Sequence, residues 1–268
     1  LKLKGRYVLK LYDRRFAAQL RQNCKFGPYG KHSLYPWTLE IEKEYQKFAC
    51  SSEITAHLEA LAEHEEDDEW LEDAQQHWTQ SQLEAYIQYC CLKFYSTETS
   101  VYDRLQDLQG SKIPKLFARV SMKLSPTSHS IDNHLDCPGI LLEYIDGFPL
   151  TDLQQFAPKS TWQQICENAI SIVNEIGRRN VMNEDVKTRS FIIRKDLRTG
   201  EFTPLMTDFG HCVVRKPDQD DHDWRESKAH QDEEGAIGLV MERNLNRGFV
   251  YTRSAESEAL VEEFMSEK

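Results

Sequence analysis

No apolar run in this chain is long enough to span a bilayer. The N-terminal Leu1-Lys2-Leu3-Lys4 lacks the apolar core of a signal peptide. An initiating Met is also missing, which leads us to expect a fragment or a trimmed chain. Positive charge is in deficit: the formal net charge is -11. That argues against general nucleic-acid or membrane-surface binding, whose contacts need Lys and Arg in excess. No Asn-x-Ser/Thr acceptor occurs, and no paired cysteine framework is visible, because the 7 Cys are odd in number and Cys90 and Cys91 are adjacent. Reduced thiols in an intracellular protein, cytoplasmic or nuclear, are the reading that follows. A Gly-x-Ser-x-Gly elbow and a nucleophilic Cys context are absent as well.

What remains is an ordinary globular composition, 40% apolar and 29% charged, over 268 residues. That length suffices for one sizeable domain or two small lobes. Tyr7-Val8-Leu9-Lys10-Leu11 reads as a strand holding a Lys among apolar neighbours. Pro36 to Leu108 is mostly helical in pattern and ends at Leu108-Gln109-Gly110, with Gly at a C-terminal cap. Within it, Glu63 to Asp73 is heavily acidic and reads as a solvated helix face or a mobile loop. A docking surface for a basic protein partner is the competing reading.

Ile113 to Val120 has the character of a strand, residues 124 to 138 of a polar loop, and Ile140 to Tyr144 of a short buried strand broken by Asp146-Gly147. Ser160 with Gln163 has the form of a capping box. Behind it Ile165, Ala169 and Val173 recur every four residues, flanked by Trp162, Cys166, Ile172 and Ile176, which predicts a core-facing helix ending near Gly177. Residues 215 to 234 read as polar and irregular, Glu233 to Leu245 as a helix, and the tail from Ala255 as an acidic helix.

Two segments carry the chemistry. Asn183-Glu184-Asp185-Val186-Lys187-Thr188-Arg189-Ser190 precedes the apolar Phe191-Ile192-Ile193. Thr207-Asp208-Phe209-Gly210 lies behind a turn at Thr199-Gly200. The layout predicts an acid in a loop, a hairpin, and a second acid at the exit of the second strand. Such a pair suits phosphoryl transfer: one carboxylate orients a hydroxyl nucleophile and the other holds a metal that bridges nucleotide phosphates.

The order of these segments resembles the catalytic loop and Asp-Phe-Gly motif of protein kinases. It looks closest to the divergent fungal kinase-like proteins, whose first strand reads much like Val8 to Phe16. The resemblance implies a protein-kinase-like two-lobe α+β fold. Residues 1–142 would form a small lobe with a helical insertion at about 20–95, and residues 143–268 a curtailed large lobe. It implies ATP and Mg as cofactors.

By the same resemblance Lys10 holds the α- and β-phosphates, and Glu98 is its partner carboxylate, with Glu84 the rival. Asp185 is the catalytic-loop aspartate, Lys187 the loop lysine beside the transferring phosphate, and Asp208 the metal-binding aspartate. Glu143 and Tyr144 fall at the hinge, where backbone groups bond adenine, with Leu142 as gatekeeper.

The departures are specific. Asn183-Glu184 stands where the family has His-Arg. That predicts loss of a hydrogen-bond strut and of a ligand for a phosphorylated activation loop. Ser190 replaces the metal-binding Asn. No glycine-rich phosphate loop precedes Lys10, and no Ala-Pro-Glu follows Gly210. Glu233-Glu234-Gly235 resembles the start of the helix that anchors the large lobe.

The resemblance implies an ATP- and Mg-dependent phosphotransferase whose acceptor, a protein or small-molecule hydroxyl, is open. The alternative is a pseudokinase that binds or scaffolds. His129, His134 and Cys137, then His211-Cys212 and His222-Asp223, have loosely metal-like spacing but read as polar loops. Trp70 and Trp78 read as packing residues.

Overall fold

The helical stretch after Pro36 breaks where its own polar residues can cap new turns. The computed structural model describes residues 4–23, 35–123 and 133–265. Helices α1 (Ala18–Asn23), α2 (Leu39–Ala49), α3 (Glu53–Glu63) and α4 (Asp68–Gln75) precede the long α5 (Gln80–Arg104). The Thr38 hydroxyl caps α2, accepting from the Ile41 N–H at 3.3 Å, and Asp67 caps α4, accepting from the Trp70 N–H at 2.9 Å. The acidic run around Glu65 to Glu69 is exposed at the α3–α4 turn, as a solvated face should be.

Contacts divide the chain into two compact units, one of Leu9–Tyr95 with Ala118–Ile140, the other of Leu1–Val8, Ser96–Phe117 and Leu141–Lys268. The architecture is mixed helix and sheet. In the first unit, Tyr45 and Ala49 of α2 pack with Ile54 of α3 and Ala85 of α5, the i, i+4 spacing turning one helix face inward. A charged network lies beside them. Arg14 pairs with both Glu42 and Glu84, and Arg21 grips the Glu84 carboxylate with two bonds of 2.8 and 2.9 Å. Glu84 is fully buried. Paired in this way, two arginines and two carboxylates tolerate burial that none would tolerate alone.

Strands β1 (Tyr7–Leu11), β2 (Leu116–Lys123) and β3 (Asp136–Glu143) form a sheet in the order β1-β3-β2. The strand expected at Ile113–Val120 begins three residues later. Ile113 is held in a turn instead, its N–H bonded to Leu108 O and its carbonyl to the N–H of Gly110. Gly110 sits at φ +81°, which a side chain would resist. The loop expected at 124–138 gives way to strand from Asp136. Pro126, His129 and Asp132 lie outside the described residues. Tyr144 falls just beyond β3 rather than within it.

In the second unit, β4 (Gly147–Pro149), α6 (Leu153–Phe156), α7 (Trp162–Gly177), β5 (Val181–Asn183), β6 (Phe191–Lys195), β7 (Phe202–Met206) and β8 (Cys212–Val214) follow in order, then α8 (Asp221–Gln231), α9 (Glu233–Asn244) and α10 (Ala255–Met265). The buried face of α7 is Ile165, Cys166, Ala169, Ile170, Ile172, Val173 and Ile176, matching the periodicity. Its start does not match. Ser160 lies in a short 3-10 turn (Lys159–Thr161), and no side chain caps α7. Gln163 turns instead to Glu167 and to the Val250 carbonyl.

The stretch 215–234 is not irregular, since α8 occupies most of it. Asp220 caps that helix, accepting from the N–H groups of His222 and Asp223. Only Trp224 and Ala229 of α8 are buried, too few to write an apolar stripe into the sequence.

Candidate functional site

Two strand pairings bring the ends of the motif segments together. Strands β6 and β7 form the expected hairpin, with Phe191 opposite Met206, so Ser190 and Thr207 meet at its open end. Thr207 donates to the Ser190 carbonyl twice, from its N–H at 2.7 Å and its hydroxyl at 3.0 Å. Strands β5 and β8 pair antiparallel, with Asn183 opposite Cys212. The Asp185 loop leaves β5 at the end where the Asp208 segment enters β8.

Asn183 joins the two loops. Its side-chain oxygen accepts from the Asp185 N–H at 2.9 Å, and its amide donates to the Asp208 carbonyl at 3.3 Å. Its own N–H donates to Glu233 Oε1 at 2.8 Å, and its carbonyl accepts from Gln231 at 3.1 Å. Asn183 is buried, and so are Glu233 and Glu234 at the start of α9. The expectation that replacing His by Asn183 removes a strut is therefore corrected: the Asn amide is itself the strut, because one face accepts while the other donates. Neither that role nor the Glu233 anchor was foreseen from the residues.

Asp185 is half-exposed and ion-paired to Lys187, while Val186 between them is buried and holds the loop down. Asp208 is exposed, with a backbone φ of 69°. Asp is among the few residues that tolerate this left-handed conformation, which turns the chain sharply out of β7. Phe209 behind it is fully buried, and its ring meets Tyr102 of α5 edge-on at 5.5 Å. Burial pushes the Tyr102 phenol well up, and the charges of Glu98, Asp208 and Glu143 push it further. The Cys212 thiol is raised by burial first, then by Glu233, Glu98 and Asp208. Glu98 and Asp208 thus act on the same two buried groups.

The rival Glu84 is fully taken up by Arg14 and Arg21, so it is a structural carboxylate. Glu143 is also engaged: its N–H donates to Lys115 O at 2.9 Å, and its carboxylate accepts from Arg194 at 2.9 Å and from the Lys115 N–H at 3.1 Å. Tyr144 is exposed, with the Arg6 guanidinium 4.2 Å from its ring centre. Leu142 is buried. Lys10 is half-exposed on β1, its amine 5.4 Å from the Tyr12 ring centre.

No protein-family model and no curated protein matches the chain.

For a hard cation the donor set fits by chemistry. Asp208, exposed, and Ser190, buried, both stand close to the same hairpin end, and oxygen donors are what Mg²⁺ takes. Bound there, such an ion would neutralise charge on phosphate oxygens. The other metal-like spacings do not fit. His129 lies outside the described residues, and burial pushes the Cys137 thiol up to about 11, away from the thiolate a metal needs. Cys212 is buried likewise. Asp220, His222 and Asp223 are exposed, and the Asp220 carboxylate already caps α8. Trp70 and Trp78 meet edge-on at 6.5 Å within a ring cluster that includes His64, His57 and Tyr86, which is packing.

Proposed function

We propose that the protein is an ATP- and Mg-dependent phosphotransferase of protein-kinase-like fold, acting on a hydroxyl of a protein or a small molecule. The observation that carries this reading is the Asn183 junction, which ties the Asp185 loop to Asp208 through one buried amide. Asp185 orients the acceptor hydroxyl and takes its proton. Lys187, already beside Asp185, steadies the transferring phosphate. Asp208 and Ser190 hold the metal, and Lys10 with Glu98 takes the nucleotide phosphates, as the family resemblance assigns them. Main-chain groups near Glu143 and Tyr144 contact the adenine.

The test is a phosphate-transfer assay with Asp185→Asn. Transfer falls by at least a hundredfold while nucleotide affinity is unchanged. Undiminished transfer removes Asp185 from the role.

A second reading, a pseudokinase that binds partners without turnover, draws on Ser190 in the metal-ligand position and on the exposed acids at the α3–α4 turn. There the partner is a basic protein surface. Reversing Glu66 and Glu69 to Lys would then abolish partner capture and leave nucleotide binding intact.

A further inference from the structure

Helix α8 ends against the junction that joins the two acids. Its last turn carries Lys228 and Gln231, three residues apart and so on one face. Gln231 donates to the Asn183 carbonyl at 3.1 Å. Lys228 reaches the same residue through Glu233. Its amine bonds Glu233 Oε2 at 2.7 Å, and Glu233 Oε1 accepts the Asn183 N–H at 2.8 Å. Asn183 continues the chain, accepting from the Asp185 N–H at 2.9 Å and donating to the Asp208 carbonyl at 3.3 Å.

The backbone folds so that this amine and carboxylate meet. Asp232, between α8 and α9, sits at φ 40°, a left-handed turn that Asp tolerates. Its N–H donates to the Lys228 carbonyl at 3.2 Å, and its carboxylate accepts from the Gly235 N–H and from Arg253. That turn brings Lys228 back onto Glu233, five residues on. Gly177, at the end of α7, leaves the amine its place: a Cβ there would lie 2.6 Å from Nζ. The Glu233 side chain is 4% exposed and that of Lys228 20%. Among the described residues, each is the other's sole ion-pair partner. Glu233 is thus a buried anion whose charge one cation meets. A buried carboxylate that loses its cation takes a proton or turns toward water. Either change loosens its hold on the Asn183 N–H.

We propose that Lys228 is a positioning residue for the Asp185–Asp208 junction, its charge clamping the Glu233 carboxylate onto Asn183, which sets both acidic loops. What the junction does rests on the phosphotransferase reading; the clamp itself does not. Lys228 touches neither reacting group and acts through Glu233 and Asn183 in turn.

The test compares Lys228→Met, which keeps the stem and removes the charge, with Lys228→Arg, which keeps the charge. The cavity of about 330 Å³ that Lys228 lines has room for a guanidinium. Hydrogen exchange without ligand is followed by mass spectrometry over residues 180–187. Exchange there quickens about tenfold in Lys228→Met and stays within about twofold of wild type in Lys228→Arg, with the core of α7 unchanged in both. Mg-ATP affinity, read by isothermal titration calorimetry, weakens about tenfold in the Met variant alone. The double variant Lys228→Met, Glu233→Gln covers the case in which the single variant does not fold, because it leaves no buried charge unpaired. It recovers the melting temperature but keeps the fast exchange and the weak Mg-ATP binding, since no cation clamps the neutral side chain. A double variant that regains wild-type exchange and affinity together with its melting temperature confines Lys228 to stability and overturns the proposal. A Met variant with wild-type exchange over 180–187 overturns it equally. A wild type that binds no Mg-ATP overturns the nucleotide reading and, with it, the part assigned to Lys228 in nucleotide binding. The exchange arm, read without nucleotide, separates that failure from failure of the clamp.

Discussion

The rings of Tyr102 and Phe209 meet edge-on at 5.5 Å and 88°, both fully buried. This contact joins the long helix to the segment that carries Asp208. The Tyr102 hydroxyl has no hydrogen-bond partner among the described residues. A buried hydroxyl without a partner forfeits its hydration, a cost of about 1–3 kcal/mol. Tyr102→Phe should therefore leave stability unchanged or raise it by about 1 kcal/mol in urea unfolding. Tyr102→Ala should lower it by about 3–5 kcal/mol, since it removes the whole ring. Equal losses in the two variants would mean that the hydroxyl is bonded in solution.

Asn183 makes a different demand. Asn183→Ala leaves the Asp185 N–H and the Asp208 carbonyl without their side-chain partner, and the expected loss is about 1–3 kcal/mol. The loss should be accompanied by a smaller thermal response to Mg-ATP than the wild type gives, because both acids are then positioned less well. A stability loss with an undiminished response would confine Asn183 to a structural role.

In the first unit the buried network gives the sharpest stability test. Glu84→Gln removes the charge that Arg14 and Arg21 share and should cost about 3–5 kcal/mol, the usual result of leaving buried charges unpaired. Phosphate transfer per folded molecule should not change. Loss of transfer at full stability would return Glu84 to the list of site residues.

His57 predicts a pH dependence. Burial lowers its pKa, opposed by a hydrogen bond to the Gln82 carbonyl at 3.0 Å, and its ring packs against Phe48 and Trp78. The unfolded chain then takes up the proton at about pH 6.5, before the folded chain does. Its contribution to stability is complete above that pH and is lost as pH falls through the lower folded value. Urea midpoints measured from pH 7 down to pH 5 should fall less steeply in His57→Asn than in the wild type. Parallel slopes would exclude His57 as the source.

Several parts of this architecture were legible in the residues. The β6–β7 hairpin showed itself by an apolar run, Thr199-Gly200 and a second run. Helix α7 showed itself by a four-residue apolar period, and α9 and α10 by helix formers. Strands β5 and β8 did not, because three residues hold no period and each exists only through its partner. Helix α8 escaped because two buried side chains make no stripe. Glu84 and Glu98 lie fourteen residues apart on one helix, nearly four full turns, so they share a face. Only Arg14 and Arg21, distant in sequence, separate their roles. The Asn183 strut was illegible for the same reason: its bonds need β5 already paired with β8.

The most direct measurement is the melting temperature of wild type and Asp208→Ala with and without Mg-ATP. Binding at about a hundred times the dissociation constant stabilises by about 2.7 kcal/mol, an easily measured rise. The wild type should show that rise, and Asp208→Ala should lose it; without ligand the variant should itself melt somewhat lower, because Ala is strained at a φ of 69°. A wild type that does not respond, or a variant that responds as fully as the wild type, would contradict a nucleotide site built on Asp208.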